Sequence, residues 1–259
     1  MIKEIRPKLQ ALANPTLAGN YKRYLKSPYE FYGIRVPQLR KIAKELVKTK
    51  NVSIYDAYNL FEELWNSGNH EEMCLAIFIL QNYKKQYNME TWRFLTQEKI
   101  LNKLKTWDHV DALCSGILGL IVLENIQLNS QLKEFSQSRN PWIRRVSIVT
   151  QFPSIKNGKL QYAIQFAEKL CYDDDIYVQK ATGWMLREVG KKNQSQVQEF
   201  IKIHKNMKAH CLSYATEKML PFRKLIKSIK QEAKDKIKNS KNVEEVSSNE
   251  LDKIKYFKN

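Results

Sequence analysis

The stretch 142–152, WIRRVSIVTQF, opens on an aromatic residue that recurs at a fixed interval to either side. Trp107, Trp142 and Tyr177 stand 35 residues apart, and each begins a run with helical periodicity: WDHVDALCSGILGL, WIRRVSIVTQF and YVQKATGWMLREVG. One more step back reaches Glu72, at the head of EMCLAIFILQNY. Between these runs lie second amphipathic segments, SQLKEFSQS, KLQYAIQFAEKL and SQVQEFIKIH. Two helices per period is the pattern of an α-solenoid, in which each unit buries its apolar face against its neighbours.

The same spacing extends outward. Leu60, Phe61, Leu64 and Trp65, and then Met73, Ile77 and Leu80, recur at three and four, while strict alternation is nearly absent. The chain therefore reads as all-α. Polar breaks are expected at NSGNH, QSRNPW, FPSIKNGK and YDDD. Only 8 Gly and 7 Pro in 259 residues fit long elements with few turns. We expect a curved solenoid of HEAT-like helical repeats over 1–225, with a concave basic groove. Residues 226–259 read as a basic terminal helix and a flexible tail.

The formal net charge is +17. Residues 223–259 hold eleven Lys/Arg against six Asp/Glu, a net +5, so +12 remains in residues 1–222. Such an excess points to a polyanionic partner, nucleic acid above all. A Lys-rich surface without a partner, as an AT-rich genome favours, is the competing account.

Other classes are disfavoured. Cys74, Cys114, Cys171 and Cys211 lie far apart in apolar or helical context and read as reduced core residues. Met1–Gln10 is charged and unlike a signal peptide, and the apolar run Gly116–Leu123 is too short to span a bilayer. A soluble, intracellular protein is expected, cytoplasmic and nucleoid-associated if bacterial. His70, His109, His204 and His210 show no metal-ligand spacing, and no phosphate-binding glycine loop or serine-hydrolase elbow occurs. Neither metal nor cofactor is expected.

Four groups could carry chemistry. In KTWDHVD, Trp107 and Asp111 share a helix face. Taken alone, the pair reads as a packed helix-start tryptophan with an acid near the dipole. The repeat register changes that: at the slot of Asp111 the other repeats carry Ala76, Val146 and Ala181. In NPWIRRVSIV, Asn140 can cap a helix that Pro141 opens. Arg144 and Arg145 then offer either a phosphate clamp or an inter-repeat ion pair. Tyr177, Lys180, Trp184, Arg187 and Lys191 form one helical stripe, suited to a nucleic-acid backbone or to a packed Trp with snorkelling cations. Gly183 beside it permits close approach. Last, RYLKSPYEFYGIRVPQLRKIAKEL, which holds Tyr24 and Arg40, alternates aromatic and basic residues before a helix opened by Pro37.

Taken in order, RYLKSPYEFYGIRVPQLRKI, KTWDHVDAL, NPWIRRVSIV and YVQKATGWMLRE resemble the AlkD-type DNA alkylation-repair glycosylases, an all-α family of HEAT-like repeats, over roughly residues 1–225. The resemblance implies that Asp111 is the catalytic acid, flanked by Trp107, with Arg145 the essential arginine and Trp184 the second active-site tryptophan. It places Tyr24 on the same cleft. Lys180, Arg187, Arg144 and Arg40 are the candidate DNA contacts. One departure stands in CLSYATEK, where Tyr214 and Ala215 replace the basic residues that often follow LS, leaving Lys208 and Lys218 as substitutes.

The implied activity is excision of positively charged alkylpurines, of the 7-methylguanine and 3-methyladenine type, from duplex DNA. The implied enzyme is monofunctional, needs no tight base pocket, and is expected to be a monomer. A non-catalytic binder of DNA or RNA structures and a scaffold for acidic proteins are the other readings.

Overall fold

The computed structural model describes residues 1–224 and 226. Apart from Ile226, the terminal helix and tail assigned to 226–259 lie outside the described residues. Among the described residues there is no β-strand, only an isolated bridge between Glu30 and Asn69.

The repeat region falls into two compact units, Met1–Pro153 and Ser154 onward. The first carries α1 (Ile2–Ala11), α2 (Pro15–Leu25), α3 (Val36–Thr49), α4 (Ile54–Trp65), α5 (His70–Leu80), α6 (Met89–Leu95), α7 (Glu98–Leu101), α8 (Trp107–Leu113), α9 (Gly119–Glu124), α10 (Asn129–Phe135) and α11 (Pro141–Val149). The short α12 (Phe152–Lys156) straddles the division, and the second unit continues with α13 (Gln161–Leu170), α14 (Ile176–Gly190), α15 (Gln194–Ile203) and α16 (Ala209–Ala215).

Local chemistry sets the helix starts. Asn140 accepts from the Trp142 amide, and Pro141 fills the first helical position, where no N–H is required. Asp175 caps α14 through the amides of Tyr177 and Val178. Pro37 stands in the first turn of α3. YDDD falls between helices as expected, and NSGNH and QSRNPW do so up to Asn69 and Asn140, with His70 opening α5 and Pro141 opening α11. FPSIKNGK does not: its first five residues form α12. Pro153 there sits in a first turn, so it opens a helix instead of breaking one.

Within each unit, side chains bond to partners one repeat away. In the first, Trp65 Nε1 donates to Ile100 O at 3.1 Å, and Trp92 Nε1 to Gln131 Oε1 at 2.8 Å. In the second, Lys156 pairs with Glu188 and Tyr172 with His204. This is the contact pattern of stacked helical repeats.

α5 departs from the amphipathic pattern of its neighbours. Every residue from His70 to Leu80 is buried, the mark of a core helix. Each fully buried Leu or Ile there contributes roughly 1.5–3 kcal/mol. Its first turn also binds the chain after α2. Glu71 accepts from the amides of Gly33 (2.7 Å), Ile34 (3.1 Å) and Tyr32 (3.1 Å), while Glu72 holds Arg6 and the Tyr32 hydroxyl. Gly33 has φ +83°, and a Cβ there would lie 2.1 Å from Asn14 O. Only glycine lets this loop lie on the start of α2.

Among the described residues, no single helix is long and apolar enough to cross a membrane.

Candidate active site

Trp107 is the first residue of α8, and Asp111 lies one turn on. The slots equivalent to Asp111, at Ala76, Val146 and Ala181, are fully buried. Asp111 therefore places a carboxylate in a core position, which is costly unless it is paired. Its partner is Arg145 of α11. Nη2 lies 2.8 Å from Oδ2 and 2.9 Å from Oδ1, and Nε lies 3.0 Å from Oδ1. The Arg145 side chain is 5% exposed and that of Asp111 18%.

Burial pushes the Asp111 carboxyl up from its ordinary value, and the Arg145 guanidinium pulls against that shift without cancelling it. The geometry is that of an anion, since two donor nitrogens, Nε and Nη2, make three contacts with its two oxygens. A carboxylate offers about four lone-pair sites, so Arg145 leaves one for a water or a developing cation.

Tyr24, near the end of α2, stands edge-on to Trp107, with ring centroids 6.1 Å apart and planes at 85°. Tyr24 is 72% exposed. The result is an aromatic wall at the head of α8.

The starts of α5 and α8 share a stack of rings. Phe31, His70 and His109 lie face to face, with centroids 4.4 and 4.2 Å apart. His109 Nε2 donates to His70 O at 3.1 Å, so Nδ1 accepts from the Thr106 hydroxyl at 3.1 Å. Burial lowers the His109 pKa to about 4, so the ring is neutral at pH 7. His70 Nε2 lies 2.9 Å from Asp108 Oδ2. Burial opposes ionisation of Asp108, but the His70 contact, the neighbouring His109 and the Thr106 hydroxyl together outweigh it and hold the carboxyl well below the usual range. These contacts give Asp108 a structural role at the start of α8.

His70, Cys74 and His109 bring three potential ligand atoms within 4.8 Å of one another, which the linear spacing concealed. Both ring nitrogens of His109 are already engaged, and the two imidazoles stack at 24°.

α8 runs into α9 through a π turn at Cys114–Leu118. Such turns interrupt the regular helical ladder. Beside this one, Ala112 O accepts a hydrogen bond from Gln81 Nε2 at 2.8 Å.

A family model described as DNA alkylation repair enzyme matches residues 5–219. The chain belongs to this family. Among solved structures, it is similar to one described as a predicted DNA alkylation repair enzyme from Enterococcus faecalis. The TM-score is 0.67 at 21% identity, over 79% of this chain and 95% of the other, a likeness that concerns the fold. No curated protein matches significantly.

In this repair-family chain the residues singled out from the sequence divide into groups. In the first unit, Tyr24 meets Trp107 and Arg145 meets Asp111, at positions one turn apart on α8. Arg144 donates to the carbonyls of Ser138 (2.9 Å) and Arg139 (3.1 Å). Arg40 lies over the Phe78 ring at 4.0 Å and donates to Gln81 Oε1 at 2.8 Å.

In the second unit, Tyr177, Lys180, Trp184 and Arg187 are all half-buried along one side of α14. Lys180 Nζ lies 6.0 Å from the Tyr177 ring, and Arg187 pairs with Glu217. Gly183 does permit close approach, and the occupant is α16: a Cβ would lie 2.3 Å from Cys211 O and 2.6 Å from Tyr214 Cβ. Tyr214 thus packs on α14. Of the proposed basic substitutes, Lys208 pairs with Asp174 at 2.9 Å and Lys218 lies 3.7 Å from Glu217.

Gln81, His70 and Thr106 were not found from the sequence. Each acts on a residue distant in the chain or through a packed ring, and no local motif marks them.

Proposed function

We propose that this DNA alkylation repair enzyme is a monofunctional glycosylase that releases positively charged alkylpurines from duplex DNA. The observation that carries this reading is the Asp111–Arg145 pair, a carboxylate held in a core slot beside the Tyr24–Trp107 wall.

A 7-methylguanine or 3-methyladenine nucleotide carries its positive charge on the purine, so the leaving group needs no protonation. The glycosidic bond breaks with its electron pair passing to the purine, which departs neutral. The sugar gains oxocarbenium character, and the Asp111 anion stabilises it at C1′. Water adds to C1′, and its proton passes to Asp111 or to solvent. The Trp107 indole adds cation–π stabilisation on the sugar side.

Arg145 favours the Asp111 anion and orients it. No lysine belongs to the proposed catalytic set of Trp107, Asp111, Arg145 and Trp184, and without an amine to form a Schiff base we expect hydrolysis without strand cleavage. The exposure of Tyr24 supports a lesion that stays outside a tight pocket. Trp184 is assigned as the second active-site indole. Tyr24, Lys180, Arg187, Arg144 and Arg40 are assigned to DNA contact, and the protein is proposed to act as a monomer in the cytoplasm.

The test is a base-release assay on methylated duplex DNA. Free 7-methylguanine without strand scission is expected. Tight, salt-sensitive binding without released base would instead favour a non-catalytic binder of DNA or RNA structures.

A further inference from the structure

We infer that Gln81 is a positioning residue for the Asp111 carboxylate, acting through the backbone immediately behind it, and that Arg40 anchors Gln81 from α3. This rests on the catalytic role proposed for Asp111.

Gln81 follows directly on α5, and its amide is used at both ends. Nε2 donates to Ala112 O at 2.8 Å, and Oε1 accepts from Arg40 Nη1 at 2.8 Å. The orientation is fixed by the partners, because a guanidinium only donates and a carbonyl only accepts. Ala112 is the neighbour of Asp111, and the helix changes to a π turn two residues later. A π turn leaves a helix with more than one way to place its carbonyls, and an outside donor selects among them.

Gly116, inside that turn, is what lets the amide in. A Cβ there would lie 2.1 Å from Gln81 Nε2 and 2.8 Å from Cδ. Glycine, glutamine and arginine are thus matched across α3, the end of α5 and the end of α8. Arg40 is itself steadied by the Phe78 ring, 4.0 Å from its guanidinium carbon. Arg145 fixes the carboxylate from its oxygens, whereas Gln81 fixes it from the main chain. Two independent restraints are what a single carboxylate needs to meet C1′ within a fraction of an ångström.

The experiment uses the full chain and two substitutions. Gln81→Glu keeps the size of the side chain and its acceptor for Arg40, but it has no N–H for Ala112 O. Gly116→Ala expels the amide by contact. Single-turnover release of 7-methylguanine is measured beside affinity for a duplex carrying an uncleavable abasic-site analogue.

The rate is expected to fall about tenfold in either variant, because the carboxylate is misplaced, not removed. In Gly116→Ala, which adds no charge, affinity is expected to stay within about twofold, since only the reacting geometry is disturbed; Gln81→Glu adds a carboxylate beside Arg40 and is judged on its rate. A wild-type rate in a folded Gln81→Glu protein overturns the inference, and so does a rate loss matched by an equal loss of affinity in Gly116→Ala. If Gln81→Glu does not fold, Gly116→Ala is judged by the same two criteria. A wild-type protein that releases no base overturns the glycosylase reading itself, and the wild-type control separates that failure from this one.

Discussion

Arg145 holds Asp111 across one repeat through three N–H···O contacts, at 2.8, 2.9 and 3.0 Å, with the guanidinium almost wholly buried. The pair is both a proposed catalytic element and a structural rivet, and the two roles can be separated.

Removing Arg145 leaves a carboxylate in a core slot without a counter-charge. Arg145→Met is expected to lower unfolding free energy by about 3–5 kcal/mol, the cost of breaking a buried pair. The double variant Asp111→Leu/Arg145→Met should recover much of that loss, because nothing charged remains buried. Urea denaturation of the singles and the double checks this. Additive losses would show that the pair does not hold the repeats together.

Because burial raises the Asp111 pKa above its ordinary value of 3.8 despite Arg145, the acid limb of the rate should lie above that ordinary value. The active form is the anion, so excision is lost as pH falls through the raised pKa. A pH profile of single-turnover release, corrected for spontaneous depurination, measures the position of this limb. A limb at or below the ordinary value would contradict the account.

His109 makes stability itself pH-dependent. Its pKa is lowered by burial to about 4 in the folded chain, against 6.5 for the free side chain, with His70 and Asp108 facing it. As pH falls from 6.5 toward 4, the unfolded chain takes up the proton first, so stability is full above 6.5 and declines below it. The expected loss is roughly 3 kcal/mol by pH 4. His109→Gln keeps a donor for His70 O but does not titrate, and it should flatten this slope in denaturation curves at pH 7 and pH 5. An unchanged slope would assign the effect to another group.

Much of this was legible in the sequence, because the signals were local or periodic. Trp107 and Trp142 stand at or near the starts of α8 and α11, and Tyr177 follows the first residue of α14, so the 35-residue rhythm marked real helices. Asn140 and Pro141 announced α11 through capping chemistry that needs only neighbouring residues. Asp111 was visible as an acid in an apolar slot. By contrast, the choice between a phosphate clamp and an inter-repeat ion pair for Arg145 depended on a partner 34 residues away. The Arg187–Glu217 pair and the Gln81–Ala112 bond, at separations of 30 and 31, were hidden for the same reason. Pro153 misled because proline opens helices as readily as it ends them.

Gly183 offers a test of packing in the second unit. Gly183→Ala would drive a methyl group to 2.3 Å from Cys211 O, and α16 must shift to admit it. A loss of about 1–3 kcal/mol is expected, the cost of overpacking. Gly190→Ala is the control: its nearest neighbour would be 3.6 Å away, and it should be neutral or slightly stabilising. Equal melting temperatures for the two variants would remove the proposed role of Gly183.

The most direct measurement is release of 7-methylguanine from methylated duplex DNA by wild-type protein and by Asp111→Asn. The account predicts release by the wild type, a loss of at least about 100-fold in Asp111→Asn, and duplex affinity retained in both. Release by Asp111→Asn at the wild-type rate would contradict it.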